Sequence, residues 1–289
     1  MTFNETEKTL LDAYAEIMES RNNSPDWAVH QRNNQSKLVS CTIPFVGKHY
    51  NDQPVKILVY ASAENLSDYH TGKGGKGRPW LDNEELAVNR HRFSFEKNKT
   101  TDWSFPNVHI GPMNTGCLLT AVMYIAYKLR GLNNLTPSEF YETIAFGNYG
   151  KYTKESEMQK NLRLIGVETG DAKNVDYPTK EPGLLEYSHE YIQKDFEFLK
   201  PDYVIMPESI YNNDKAFINK IKGNAKIIGI YQMIPINIHK HIPNRVAKKG
   251  LSEYKLEELP DNIQKIIGNI THANQEKYLC VFKYLDEII

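Results

Sequence analysis

Apolar side chains recur at Leu10, Ala13, Tyr14, Ile17 and Met18, the spacing of a helix with one buried face, and predict a first helix over residues 5–21. A polar connection from Arg21 to Lys37 leads to "LVSCTIPFVG", read as a short strand or turn. The first strong strand is predicted at 55–61, "VKILVYA", a continuous apolar run of strand length. A long proline-free apolar run, "NTGCLLTAVMYIAYKL", predicts a helix over 114–129 with Asn114 and Thr115 as possible caps. Thr136-Pro137-Ser138-Glu139 is a further helix start, Thr capping and Pro in the first turn.

Downstream, strands and helices alternate. Short apolar runs predict strands at 143–148 ("TIAFGN"), 202–206 ("DYVIM"), 225–231 ("AKIIGIY") and 277–284 ("EKYLCVFKY"). Helical periodicity separates them at 184–199, near 213–222 and near 255–267. Uninterrupted apolar strands alternating with helices argue for a mainly parallel sheet of four to five strands, covered on both faces in a three-layer α/β/α sandwich. No internal repeat is visible. The reading is an N-terminal helical extension over 1–53, packed on a main domain over 54–289 with a turn-rich, charged insertion at 67–106.

Composition narrows the function classes. With 40% hydrophobic and 25% charged residues, the 289-residue chain resembles an ordinary globular protein. Lys plus Arg number 35 against 36 Asp plus Glu, so attraction to a polyanion requires a local patch. No run of 18 apolar residues exists and the N-terminus is acidic, which predicts a cytoplasmic protein with no membrane partner. Three scattered cysteines, Cys41, Cys117 and Cys280, argue against a disulfide framework and a four-cysteine metal site. Neither a metal nor a cofactor is expected.

In a doubly wound sheet the ligand lies beyond the carboxyl ends of the strands, and two of the four loops leaving the best strands are basic. One carries Lys73, Lys76 and Arg78, the other Lys240, Arg245, Lys248 and Lys249 with His239 and His241. Gly72, Gly74 and Gly77 spell G-x-G-x-x-G, but Ser62 to Thr71 separate them from the strand and Arg78-Pro79 follows where a helix should begin. A dinucleotide site needs the direct strand-to-helix turn. A backbone of phosphates, approached closely by glycine-rich chain, suits the two basic rims better.

The motif order "VKILVYASAEN", "GPMNTGCLLTAVMYIA", "TIAFGNYGKYT", "DFEFLKPDYVIMPES" and "KIIGIYQMIPINIHK", over about residues 55–245, resembles the uracil-DNA glycosylase superfamily. The resemblance implies a uracil-DNA glycosylase-like fold and a metal-independent DNA N-glycosylase acting on an everted, uracil-like or modified base. It places Asn148 at the strand-ending asparagine whose amide reads a base edge, with Ser62 and Tyr149 beside it as base contacts. It places His239 in the last loop, near the carbonyl that gains charge as the bond breaks. The first motif departs: Ser62 stands where relatives carry a water-orienting acid or amide, and Glu64, with Asn65, takes that role only in a shifted register. The His-Pro-Ser pattern of the last motif is also absent, and the cysteine count excludes the cluster-binding branch. DNA is the implied partner, its backbone held by Lys73, Lys76, Arg78, Lys240, Arg245 and Lys248.

Two other readings stay open. One is a catalytically silent nucleic-acid binder of the same fold, suggested by Ser62. The other is a cysteine hydrolase using Cys117, near the start of its helix, with His109, His70 or His49 as base. Simpler roles compete throughout: Asn148 before Tyr149-Gly150 suits a turn, Glu64 a cap, and the basic loop residues plain solvation.

Overall fold

The computed structural model describes residues 4–22, 38–39, 43–63, 115–131, 135–151, 153–154, 185–186, 188–233, 236–252, 254–268 and 272–289. Within them the strands are β1 (Leu38–Val39), β2 (Phe45–Val46), β3 (Ile57–Ala63), β4 (Ala145–Gly150), β5 (Thr153–Lys154), β6 (Tyr203–Pro207) and β7 (Lys226–Ile230). The helices are α1 (Glu5–Asn22), α2 (Thr115–Arg130), α3 (Pro137–Tyr141), α4 (His189–Leu199), α5 (Glu208–Asn213), α6 (Lys215–Ile221), α7 (Ile242–Lys248), α8 (Asp261–Gly268) and α9 (His272–Ile288). The expected insertion at 67–106 lies outside the described residues.

Five strands form one mixed sheet in the order β2-β4-β3-β6-β7, while β1 and β5 form a separate antiparallel pair. The four longer strands run parallel, and only the edge strand β2 is antiparallel, to β4. The chain steps from β3 to β4 in one direction, then crosses β3 to reach β6 and β7 in the other. Helix α2 covers the first crossover on one face and α4 covers the second on the opposite face, as right-handed connections require.

Alternation along the strands sorts the core into two layers. Ile57, Val59, Phe146, Ile205, Ile228 and Ile230 pack against α2, α8 and α9. Leu58, Tyr60, Ala145, Tyr149, Val204 and Met206 pack against α1, α4 and α6. Helix α1 also closes the sheet edge: Asn4 Nδ2 donates to the Val46 carbonyl at 2.8 Å, and the Val46 N–H donates to Glu7 at 3.2 Å. Backbone groups of an edge strand are thereby covered.

Most predicted elements are present within a few residues, and Thr136 caps α3 through a reciprocal bond pair with Glu139. Three expectations are corrected. The predicted strand 277–284 lies inside α9, where Tyr278, Leu279, Cys280, Val281, Phe282, Tyr284 and Leu285 are all buried. A helix surrounded by neighbours shows the same unbroken apolar run as a buried strand. The helix expected near 255–267 is a 3-10 turn, Leu256–Glu258, followed by α8, because Pro260 blocks a continuous helix.

The third correction concerns the loop expected after residue 231, which is largely helical. A π-turn, Asn237–His241, runs into α7. Pro243 has no N–H to give the His239 carbonyl, and the ladder widens there, the Ile242 N–H reaching the Asn237 carbonyl. Among the described residues no helix is long and apolar enough to cross a membrane.

Candidate active site at the carboxyl end of the sheet

The order reversal in the sheet places its crevice between the carboxyl ends of β3 and β6, where doubly wound folds bind ligands. Asn148 pairs with Ala61 across β4 and β3, Val59 pairs with Ile205 two residues earlier, and Pro207 pairs with Ile230. Asn148, Ala61, Pro207 and Ile230 therefore form one row across the sheet at this end. Their side chains share the α2 face.

Helix α2 starts at this rim and runs away from it. Arg130, in its last turn, donates from Nε to the Val55 carbonyl at 2.8 Å and from Nη1 and Nη2 to Thr143 at 3.0 and 3.2 Å. Those partners lie at the amino ends of β3 and β4, so the N-terminus of α2 lies at the carboxyl ends. Burial holds the Arg130 guanidinium down to about 10.

Asn148 is the polar group of interest in the row. It is 5% exposed, and its side-chain amide has no hydrogen-bond partner among the described residues. A buried amide left unpaired costs on the order of 1–3 kcal/mol, and it offers one acceptor and two donors. Groups of this kind in a native structure call for an explanation in function or a bound partner.

Tyr149 does not share that position. Its side chain is fully buried on the α4 face, its ring T-shaped against Tyr60 at 5.5 Å, and its O–H donates to Asp214 at 2.6 Å. Burial, reinforced by the Asp214 hydrogen bond, pushes its hydroxyl well above the ordinary value. Ser62 lies within β3, one residue before its end. Glu64 and Asn65, which follow β3 in sequence, lie outside the described residues, as do Lys73, Lys76 and Arg78.

The last basic segment is sorted by its partners. Arg245 donates to Glu287 at 2.7 Å, and its guanidinium lies 5.7 and 5.1 Å from the ring centres of Tyr231 and Tyr284. Lys249 joins the same carboxylate at 2.5 Å. These two charges are matched within the fold, whereas Lys240 and Lys248 are exposed. His239 sits half-buried in the π-turn, edge-on to Tyr278 at 6.3 Å. Desolvation, and then the Lys277 charge, hold its imidazole below the ordinary value. Beside it Ile236 is 54% exposed, one of two exposed large hydrophobic side chains among the described residues.

Two polar clusters escaped the sequence reading. Lys151 and Asp195 form an ion pair at 2.9 Å with neither side chain exposed. Asp214 accepts from Tyr149 and lies 2.8 Å from His189 Nε2. Their members are 44 and up to 65 residues apart, so no local spacing links them. Only the charged Lys151 directly after an apolar strand was a sequence signal.

Cys117 lies in the first turn of α2, on the rim side. Its candidate base His49 follows β2, whose Val46 pairs with Ala145 at the amino end of β4. The 16-residue helix spans about 24 Å between those ends, which removes His49 as its partner. His70 and His109 lie outside the described residues. Among the described residues no three His, Cys, Asp or Glu side chains are grouped to hold a metal ion. No family model, no curated protein and no solved structure matches the chain.

Proposed function

We propose that the protein hydrolyses the N-glycosidic bond of an everted, uracil-like or modified base in DNA, at the carboxyl end of its sheet. The observation that carries this reading is the Asn148 amide, buried, unpaired among the described residues and placed beside the end of β3. A pyrimidine edge offers a carbonyl and an N–H side by side. An amide held in one plane answers both, its N–H donating to the carbonyl and its oxygen accepting from the ring N–H.

The remaining roles follow from the direction of charge flow. The oxygen of water bonds to the sugar anomeric carbon, and the glycosidic bond breaks with its electron pair retained by the base. His239, whose imidazole desolvation and the Lys277 charge hold below the ordinary value, donates an N–H to the base oxygen that gains charge. Glu64 and Asn65, next in sequence after β3, take the water-orienting role, and the water's proton passes to solvent. Lys240, Lys248 and the basic loop at Lys73, Lys76 and Arg78 hold the phosphate backbone. Exposed Ile236, four residues before Lys240, suits an apolar wedge between base steps.

The test is incubation with labelled single- and double-stranded oligonucleotides carrying uracil, hypoxanthine or modified cytosines, read by alkaline strand scission. The expected result is scission with at least one of these bases, lost in Glu64→Gln. Salt-sensitive binding without scission marks the silent nucleic-acid binder instead. Absence of both sinks the reading.

A further inference from the structure

The Asn148 amide has no hydrogen-bond partner among the described residues, so its direction is set by packing and by the backbone that carries it. That backbone is held from the far side of the sheet. Alternation sends Asn148 toward α2 and sends its neighbour Tyr149 toward α4. There the Tyr149 hydroxyl donates to Asp214 at 2.6 Å. The same Asp214 oxygen lies 2.8 Å from His189 Nε2, and the His189 ring lies flat on Phe217, centroids 3.6 Å apart and planes 6° apart. Two residues further on, the Lys151 N–H donates to the Ser188 hydroxyl at 2.9 Å.

Asp214, His189, Phe217 and Ser188 all belong to α4, α6 or the residues that start them. None of them packs on the face that Asn148 occupies. We infer that Tyr149, tied to Asp214 and backed by His189, is a positioning residue that fixes the direction of the Asn148 amide through the strand. The inference rests on the reading of Asn148 as the base contact. Supporting residues of this kind set how tightly a site holds its ligand, because a loosely aimed amide loses its paired hydrogen bonds.

The test uses the side-chain amide signals of Asn148 in a ¹⁵N–¹H spectrum of the full chain, identified by their disappearance in Asn148→Ala. Tyr149→Phe keeps the ring against Tyr60 and removes only the hydroxyl. Asp214→Ala removes the acceptor, whereas Asp214→Asn keeps an oxygen that Tyr149 can reach. The Asn148 signals are expected to shift and broaden in Tyr149→Phe and Asp214→Ala and to stay near wild type in Asp214→Asn. Affinity for free uracil should fall about tenfold in the first two variants and be restored in the third. Signals unmoved in Tyr149→Phe overturn the inference even if Asp214→Ala fails to fold. Signals that move in a protein that binds no free base leave the positioning intact and remove the base-site reading.

Discussion

The Lys151 ammonium lies 2.9 Å from the Asp195 carboxylate, and neither side chain reaches solvent. The carboxylate also accepts from Tyr14 at 2.6 Å and from Tyr60 at 2.8 Å, and the ammonium lies 5.2 and 5.6 Å from the centres of those two rings. One buried cluster thus ties α1, β3, α4 and the exit of β4 together. Burial, with Asp195 beside it, pushes the Tyr60 hydroxyl far above its usual range.

Removing one charge strands the other. Asp195→Ala is expected to cost about 3–5 kcal/mol, and the paired change Lys151→Met with Asp195→Leu markedly less, since no charge is then left alone. Urea unfolding midpoints of both variants check this. A double variant as unstable as the single one would show that the hydrogen bonds from Tyr14 and Tyr60 dominate instead.

Gly47 is required by close approach. A Cβ there would sit 2.3 Å from the Glu142 carbonyl carbon and 2.4 Å from its oxygen, where the Gly47 N–H also donates to Ile144 at 2.9 Å. Gly47→Ala is expected to destabilise by about 2–3 kcal/mol through forced backbone movement. Gly131, with φ +71 and open space around it, is the control: Gly131→Ala should cost about 1–2 kcal/mol from the left-handed backbone alone. Thermal melts of the two variants distinguish a steric clash from a conformational preference.

Glu287 links α9 to α7 through Arg245 and Lys249. Their hydrogen bonds hold its carboxyl down to about 2, below the ordinary 4.5. A depressed folded-state value contributes stability that is fully present above the unfolded value and is lost as pH falls through the folded one. The contribution therefore fades between about pH 4.5 and 2. Glu287→Gln should flatten the stability profile in that window and leave its slope near pH 7 unchanged. An identical acid limb in the variant would show that the pair is screened out by solvent.

The legible part of the fold was the part that local pattern encodes. α1 followed from its one-faced spacing, β3, β4, β6, β7 and α2 from unbroken apolar runs of strand or helix length, and the α3 start from the Thr136–Glu139 capping pattern. The strand expectation at 277–284 fails because residues 278–285 of α9 are almost all buried and leave no helical rhythm, and the loop expectation after β7 fails because Pro243 sits in a widened turn rather than ending a helix. Asn148 was legible as a polar residue near the end of an apolar strand, although β4 runs two residues past it to Gly150. The Tyr149–Asp214–His189 and Lys151–Asp195 clusters were not, since they form only when distant elements pack. The charge on Arg245 was legible, but its Glu287 partner, 42 residues away, was not.

The most direct measurement of the central claim is the single-turnover rate of abasic-site formation by the wild-type chain and by Asn148→Ala, on the oligonucleotide the wild type cleaves fastest. Losing a paired contact to the reacting base is expected to slow the step by about 10²–10³-fold, with far-ultraviolet circular dichroism and thermal midpoint close to wild type. An Asn148→Ala protein that excises at the wild-type rate, or a wild-type protein that releases no base from any of these substrates, would contradict the account.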